Sequence, residues 1–272
     1  MAFKSLAITS IFGMAVLGSP VFTTKDTISI KVVGGSNAEA GEFPFIVSLQ
    51  GSEGHFCGGT LLDASTVLTA AHCGGESDVG NLSVRAGSLD RTTGGHLIPV
   101  ASITVHPGWS DPSELTDVAI WKLESALPDD PAISFAHISP NGTDPTPGTM
   151  ATVAGWGATD PTVEQDTSPD MLLKVDVPII ARDTCKFWYR NSTYSSVNND
   201  MVCAGAVGGG RGSCFGDSGG PLVDASTGNL IGVVSWGDDI CAGPETPGVY
   251  ARVDTLRSWI LQTAGLVKGG KK

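Results

Sequence analysis

The sequence predicts an all-β fold of short strands. Short apolar runs recur between turn residues, and many are rich in Val, Ile, Thr or aromatics. Gly (36) and Pro (16) are frequent and evenly spread. Helical periodicity is hard to find along most of the chain.

In chain order the expected strands are Phe45–Leu49, Thr66–Ala70, Ser83–Ala86, Val118–Leu123, Thr149–Val153, Leu230–Ser235 and Gly248–Val253. One helix is expected near the C-terminus. Asp254 can cap it, Leu256, Ile260 and Leu261 with Trp259 form its apolar face, and it runs to about Ala264.

The N-terminus reads as a secretory signal. Lys4 is followed by an uncharged run from Leu6 to Gly18, and small residues precede Ser19. The run is shorter than the roughly 20 apolar residues a membrane-spanning helix needs. No later stretch is long and apolar enough either, so no membrane partner is expected. Six cysteines in a secreted chain suggest three disulfides, although the count alone leaves their pairing open.

The formal net charge is −12. Residues 1–31 hold three of the 16 basic residues and one of the 28 acids, so the chain from Val32 carries 13 and 27, or −14. This makes nucleic acid a poor partner. Sequons for N-glycosylation begin at Asn81, Asn141 and Asn191.

Three segments carry chemistry: Gly216-Asp217-Ser218-Gly219-Gly220-Pro221, Thr69-Ala70-Ala71-His72-Cys73 and Asp117-Val118-Ala119-Ile120. A serine hydroxyl is a poor nucleophile until a base takes its proton. His72 can be that base and later the acid that protonates a leaving amine. Asp117 can hold the imidazole in one tautomer and stabilise the imidazolium. The glycines around Ser218 permit a tight turn that presents the hydroxyl and aims backbone N–H groups at one point. The other histidines, His55, His96, His106 and His137, lack such context and read as surface or packing residues.

These segments, in the order His, Asp, Ser, resemble the trypsin/chymotrypsin family of serine endopeptidases. The resemblance runs from Val32 to about Gln262. It implies two antiparallel six-stranded β-barrels with the site in the cleft between them. His72 and Asp117 would come from the first barrel and Ser218 from the second, with a crossover near 139–147. The C-terminal helix would pack on a barrel. The pairs Cys57–Cys73, Cys185–Cys203 and Cys214–Cys241 are implied, each adding about 2–4 kcal/mol in the chain-entropy model. The N–H groups of Gly216 and Ser218 would form the oxyanion hole.

The family is made as a zymogen. Residues 1–18 would be the signal, 19–31 an activation propeptide, and 32–272 the protease domain, ending in a tail at 268–272. A cut after Lys31 would free the amine of Val32 to pair with Asp217.

The resemblance also locates a primary pocket. Gly212 lies six residues before Ser218, where trypsin-type members carry Asp. A floor without an acid leaves a substrate cation unpaired. Ser213, Ser235-Trp236-Gly237 and Gly248 would complete the walls, and Phe215 the mouth. The expected reaction is hydrolysis of a protein or peptide after Phe, Tyr, Leu or Met. Cleavage after Lys or Arg is the alternative, and a non-catalytic binding relative is a second one. Glu114, Asp238 and Asp239 would flank the cleft and could favour basic residues upstream of the cut. An enzyme that does not favour Lys would need a trypsin-like protease for activation. Protein inhibitors are further expected partners, and the chain reads as a secreted monomer. No cofactor is implied. The segment Gly87–His96, where some relatives bind calcium, has Asp90 as its one acid, so no metal is expected.

Overall fold

The computed structural model describes residues 33–74, 79–109, 116–140, 142–160, 167–191 and 197–267. The expectations placed on residues 1–32, on Glu114, on Asn141 and on 268–272 lie outside the described residues.

A two-residue strand, β1 (Ser36–Asn37), leads into the first barrel. That barrel comprises β2 (Ile46–Gly51), β3 (Gly54–Asp63), β4 (Thr66–Thr69), β5 (Ser83–Ala86), β6 (His96–Val105) and β7 (Ala119–Leu123). All neighbours are antiparallel, in the closed order β2-β3-β4-β7-β6-β5. Closure rests on β2, whose Val47 faces Gly59 of β3 on one side and Ala86 of β5 on the other. Leu49, Leu61, Val67, Leu68, Val84, Ile120 and Trp121 are buried on the barrel's two faces. Gly59 is small because a Cβ there would lie 2.7 Å from Cγ1 of Val67.

The second barrel comprises β8 (Met150–Gly155), β9 (Leu173–Ile180), β10 (Met201–Ala204), β11 (Pro221–Asp224), β12 (Leu230–Trp236) and β13 (Gly248–Arg252). Its order is β9-β10-β13-β12-β11-β8, and β8 pairs back onto β9 to close it. β1 pairs with the start of β9 through Ser36 and Lys174. Val153, Leu173, Val175, Val177, Leu222, Ile231 and Tyr250 fill the interior. The all-β class and the two six-stranded barrels are therefore observed. The connection from β7 to β8 crosses to the second barrel before residue 139, since Ile138 bridges Leu230.

Two α-helices are present among the described residues where one was expected. The extra one, α1 (Arg182–Trp188), is seven residues long and is tied down by Cys185, which is bonded to Cys203 of β10. So short a helix depends on tertiary anchoring, which periodicity does not reveal. The expected helix, α2, spans Val253–Ala264. Its predicted cap is corrected: the capping position is Arg252, and no side chain caps it. Asp254 is buried in the first turn and accepts a hydrogen bond from the Arg252 guanidinium at 2.8 Å. Gly265 ends the helix at φ +76°. No helix among the described residues is long and apolar enough to cross a membrane.

The disulfides are Cys57–Cys73, Cys185–Cys203 and Cys214–Cys241. Two of them flank the segments that carry His72 and Ser218.

Candidate active site

His72 sits on a single 3₁₀ turn, Ala71–Cys73, directly after β4. The chain can turn inward here because Ala70 and Ala71 are small and fully buried. The disulfide from Cys73 to Cys57 of β3 fixes the turn. Asp117 stands just before β7 and is 4% exposed, whereas the His72 side chain is 23% exposed. One carboxylate oxygen of Asp117 accepts the backbone N–H of His72 at 3.0 Å. The other lies 2.7 Å from His72 Nδ1 and accepts the Ser235 hydroxyl at 2.6 Å. A carboxylate facing Nδ1 places the proton on that nitrogen and leaves Nε2 with its lone pair. Ser235 belongs to β12, so this hydrogen bond ties the second barrel to the first.

Ser218 lies on the loop between Cys214 and β11. Gly216 and Gly219 there adopt φ +95° and +78°, which a residue with a Cβ rarely does. Gly219 must also be small, because a Cβ would fall 2.0 Å from Thr69 Oγ1 on the first barrel. The N–H of Gly58 in β3 donates to the Ser218 carbonyl at 2.8 Å, so the loop is clamped across the cleft. The N–H groups of Gly216 and Ser218 have no acceptor among the described residues.

Asp217 points the other way, into the protein, and is fully buried. It accepts the N–H of Gly157 at 2.8 Å and of Cys214 at 2.9 Å. Gly155 and Gly157 make room for it, since a Cβ on either would fall 2.0 or 2.5 Å from the carboxyl group. Burial pushes this carboxyl up to about 6, against the downward pull of the two N–H donors. Among the described residues no cation pairs with it. Val33 is buried against Ala158 and Cys214 beside this loop, and its carbonyl accepts the N–H of Gly212 at 3.3 Å.

A cavity of about 200 Å³ opens beside Ser218. Of the pocket residues read from the sequence, Ser213, Phe215, Ser235, Trp236, Gly237 and Gly248 line it. Gly212 is not among the lining residues. It is buried, and a Cβ on it would lie 3.2 Å from the Cβ of Ala242. Ala242 and Thr246 line the cavity instead, so an apolar methyl covers the position where an acid was looked for. A Cβ on Gly248 would meet Ser213 Oγ at 2.8 Å and Tyr250 Oη at 2.9 Å, so this wall has no room for a side chain. Phe215 is 63% exposed.

The reading of His55 is corrected. It is a contact of the site loop, not a plain surface or packing residue. Its Nδ1 lies 2.9 Å from Ser48 Oγ, and its Nε2 lies 3.0 Å from the carbonyl oxygen of Gly216. Its ring stands edge-on to Trp156 at 5.6 Å. No signal in the sequence marked it, because Gly216, the part of the site loop it touches, lies 161 residues away along the chain. Replacing His55 with Ala should lower kcat about 2- to 10-fold, the worth of one positioning hydrogen bond. His55→Gln should restore part of the loss. Unchanged kcat in both variants would show that the contact does not matter. Of the other histidines, His96 pairs with Asp130 at 2.8 Å and His106 packs on Trp259 at 4.7 Å. Asp90 is half-buried, and its carboxylate is held by donors from Thr92 and Thr93.

Two barrels meeting at a cleft, with a carboxylate-held imidazole on one and a glycine-flanked serine on the other, define the architecture of a serine endopeptidase. The family model described as Trypsin matches residues 32–260. Trypsin 5G1 of Aedes aegypti is 39% identical over 237 residues, covering 87% of this chain and 86% of that protein. Trypsin alpha of Drosophila melanogaster is 40% identical over 240 residues, covering 87% and 89%. Trypsin delta of the same fly is 38% identical over 237 residues, covering 86% and 88%. This chain belongs to the trypsin family, and it is a serine endopeptidase acting on protein substrates.

Proposed function

We propose that the enzyme cleaves peptide bonds after large apolar or aromatic residues, using Ser218 as nucleophile, His72 as base and Asp117 as the group that orients it. Ser218 Oγ attacks the scissile carbonyl carbon while His72 Nε2 takes its proton. The oxyanion is received by the N–H groups of Gly216 and Ser218, which have no other acceptor among the described residues. His72 then protonates the leaving amine as the C–N bond breaks. A water, deprotonated by His72, hydrolyses the acyl-enzyme and frees Ser218.

The observation that carries the specificity is the covered floor of the cavity. Ala242 overlies Gly212, and Ser213, Thr246 and Gly248 beside it are uncharged. Among the described residues lining the cavity the charged ones are the exposed Asp238 and Asp239. Burying a large apolar side chain there yields roughly 1.5–3 kcal/mol. The chain would be secreted as a precursor of signal (1–18), propeptide (19–31) and enzyme (32–272). A cut after Lys31 would free the amine of Val32 to pair with Asp217. The burial of Val33 next to the Asp217 loop supports this.

One comparison tests the specificity and the route of activation together. Enzyme with Val32 as its N-terminus is given matched peptides with Phe, Leu, Ala, Lys or Arg before the scissile bond. Phe and Leu should exceed Ala by roughly 10- to 100-fold in kcat/KM, from the transfer energy above. Lys and Arg should be poor, in which case the precursor cannot cut efficiently after its own Lys31 and needs a trypsin-like partner. The relatives named trypsin suggest the alternative, and a preference for Arg or Lys would establish it.

A further inference from the structure

We propose that Gln50 is a positioning residue for the oxyanion hole, acting through Ser48 and His55 by fixing which nitrogen of the His55 ring carries the proton. This rests on the catalytic reading of Ser218 proposed above. Ser48 and Gln50 stand two residues apart in β2 and so share one face. A bulge between Leu49 and Gln50 sets Gln50 opposite His55 of β3. Ser48 and Gln50 are both buried, so their polar atoms must find partners inside the protein.

The direction of each hydrogen bond follows from the first. The end of the Gln50 side chain lies 2.5 Å from the Arg91 carbonyl oxygen, which can only accept. That contact requires the NH₂ of Gln50, and its second hydrogen is donated to Ser48 Oγ at 3.2 Å. Ser48 Oγ thereby accepts from Gln50 and turns its own proton to His55 Nδ1, 2.9 Å away. An Nδ1 that accepts leaves the ring proton on Nε2. His55 Nε2–H then donates to the Gly216 carbonyl at 3.0 Å. The opposite tautomer would set two lone pairs against each other at that distance. The peptide group that His55 grips lies, along the chain, between the two oxyanion donors, the N–H of Gly216 and the N–H of Ser218. Its other end is held too, since the N–H of Asp217 donates to the Cys214 carbonyl at 2.9 Å. Fixing this one peptide plane fixes the aim of both donors. Arg91 is anchored in turn, because its N–H donates to the Asp170 carbonyl at 2.9 Å.

The test records ¹⁵N–¹H spectra of processed enzyme labelled at its histidines, above the pH at which imidazoles titrate. The His55 signals are those missing from His55→Gln. They should show a protonated Nε2 and an unprotonated Nδ1. Gln50→Met fills a similar volume but donates nothing, and should give a mixture of the two tautomers. In that variant kcat and kcat/KM should fall together, about 2- to 10-fold, because an oxyanion donor acts in the transition state. The same substitution in the His55→Gln background should change kcat by about twofold or less, since no tautomer is left to set. A proton on Nδ1 in the parent, an unchanged Nε2–H tautomer in Gln50→Met, or an equal loss of kcat in both backgrounds would overturn the proposal. The parent spectrum is decisive on the first point even if Gln50→Met does not fold. Failure of the Ser218 reading shows separately, as a Ser218→Ala enzyme that keeps its activity whatever the His55 tautomer.

Discussion

Ser218→Ala is expected to lower kcat by about a million-fold, and His72→Ala by a similar factor. The two residues act as one unit, so the double variant should lose little more than either alone. Asp117→Asn should cost less, roughly 10⁴-fold. The geometry explains that order. Asp117 touches His72 twice, at the backbone N–H and at Nδ1, and is itself held by Ser235. An asparagine of the same shape could direct its NH₂ at Nδ1, which would force the proton onto Nε2 and remove the base. Steady-state kinetics on one peptide substrate checks all four variants. A Ser218→Ala enzyme within tenfold of the parent would end the proposed mechanism.

Asp217→Asn should cost the processed enzyme on the order of a hundred- to a thousand-fold, the worth of a buried ion pair. The uncleaved precursor should respond differently. There the asparagine removes a buried charge but sets its NH₂ against one of the N–H groups of Gly157 and Cys214. These two effects offset, so the precursor's melting temperature should move little. The alternative, that Asp217 only braces its loop, predicts equal damage to both forms. The pH dependence follows the same pairing. An amine of Val32 paired with Asp217 has its pKa raised above the reference of about 7.7–8.0. Its contribution is complete below that reference and is lost as pH rises through the higher folded value. Activity should therefore fall at strongly alkaline pH with the triad intact. Asp217 alone has the opposite tendency to most carboxylates. Its carboxyl is raised from 3.8 to about 6. The cost of its ionised form is therefore full above about 6 and is relieved as pH falls from there toward 3.8.

Different parts of the molecule were legible in the sequence to different degrees. Strand β5 matches its apolar run, Ser83–Ala86, residue for residue, because the run is short and bounded by turns. Strand β3 was missed, since its Gly54, Gly58 and Gly59 look like turn residues. Gly58 and Gly59 are glycine for another reason: a Cβ on either would come within 3.0 Å of a neighbouring strand or loop. Strand β6 holds Pro99 in its middle, which argues against a strand in any single-chain reading. The His72 and Ser218 segments stood out because their local composition is unusual. Their supports did not, because each is a long-range contact. Ser235 reaches Asp117 from 118 residues away, and His55 reaches Gly216 across 161. Gly155 and Gly157 gave no sign that they shelter the carboxyl of Asp217. Ala242 likewise gave no sign that it covers Gly212.

The most direct test labels the nucleophile. Processed enzyme is treated with a fluorophosphonate, which forms a stable P–O bond to an activated serine, and the adduct is located by peptide mass spectrometry. A single adduct on the peptide containing Ser218, absent after His72→Ala, is the predicted result. An adduct on a different serine, or none in protein whose Val32 terminus has been confirmed, would contradict the assignment of Ser218 and His72 as one catalytic unit.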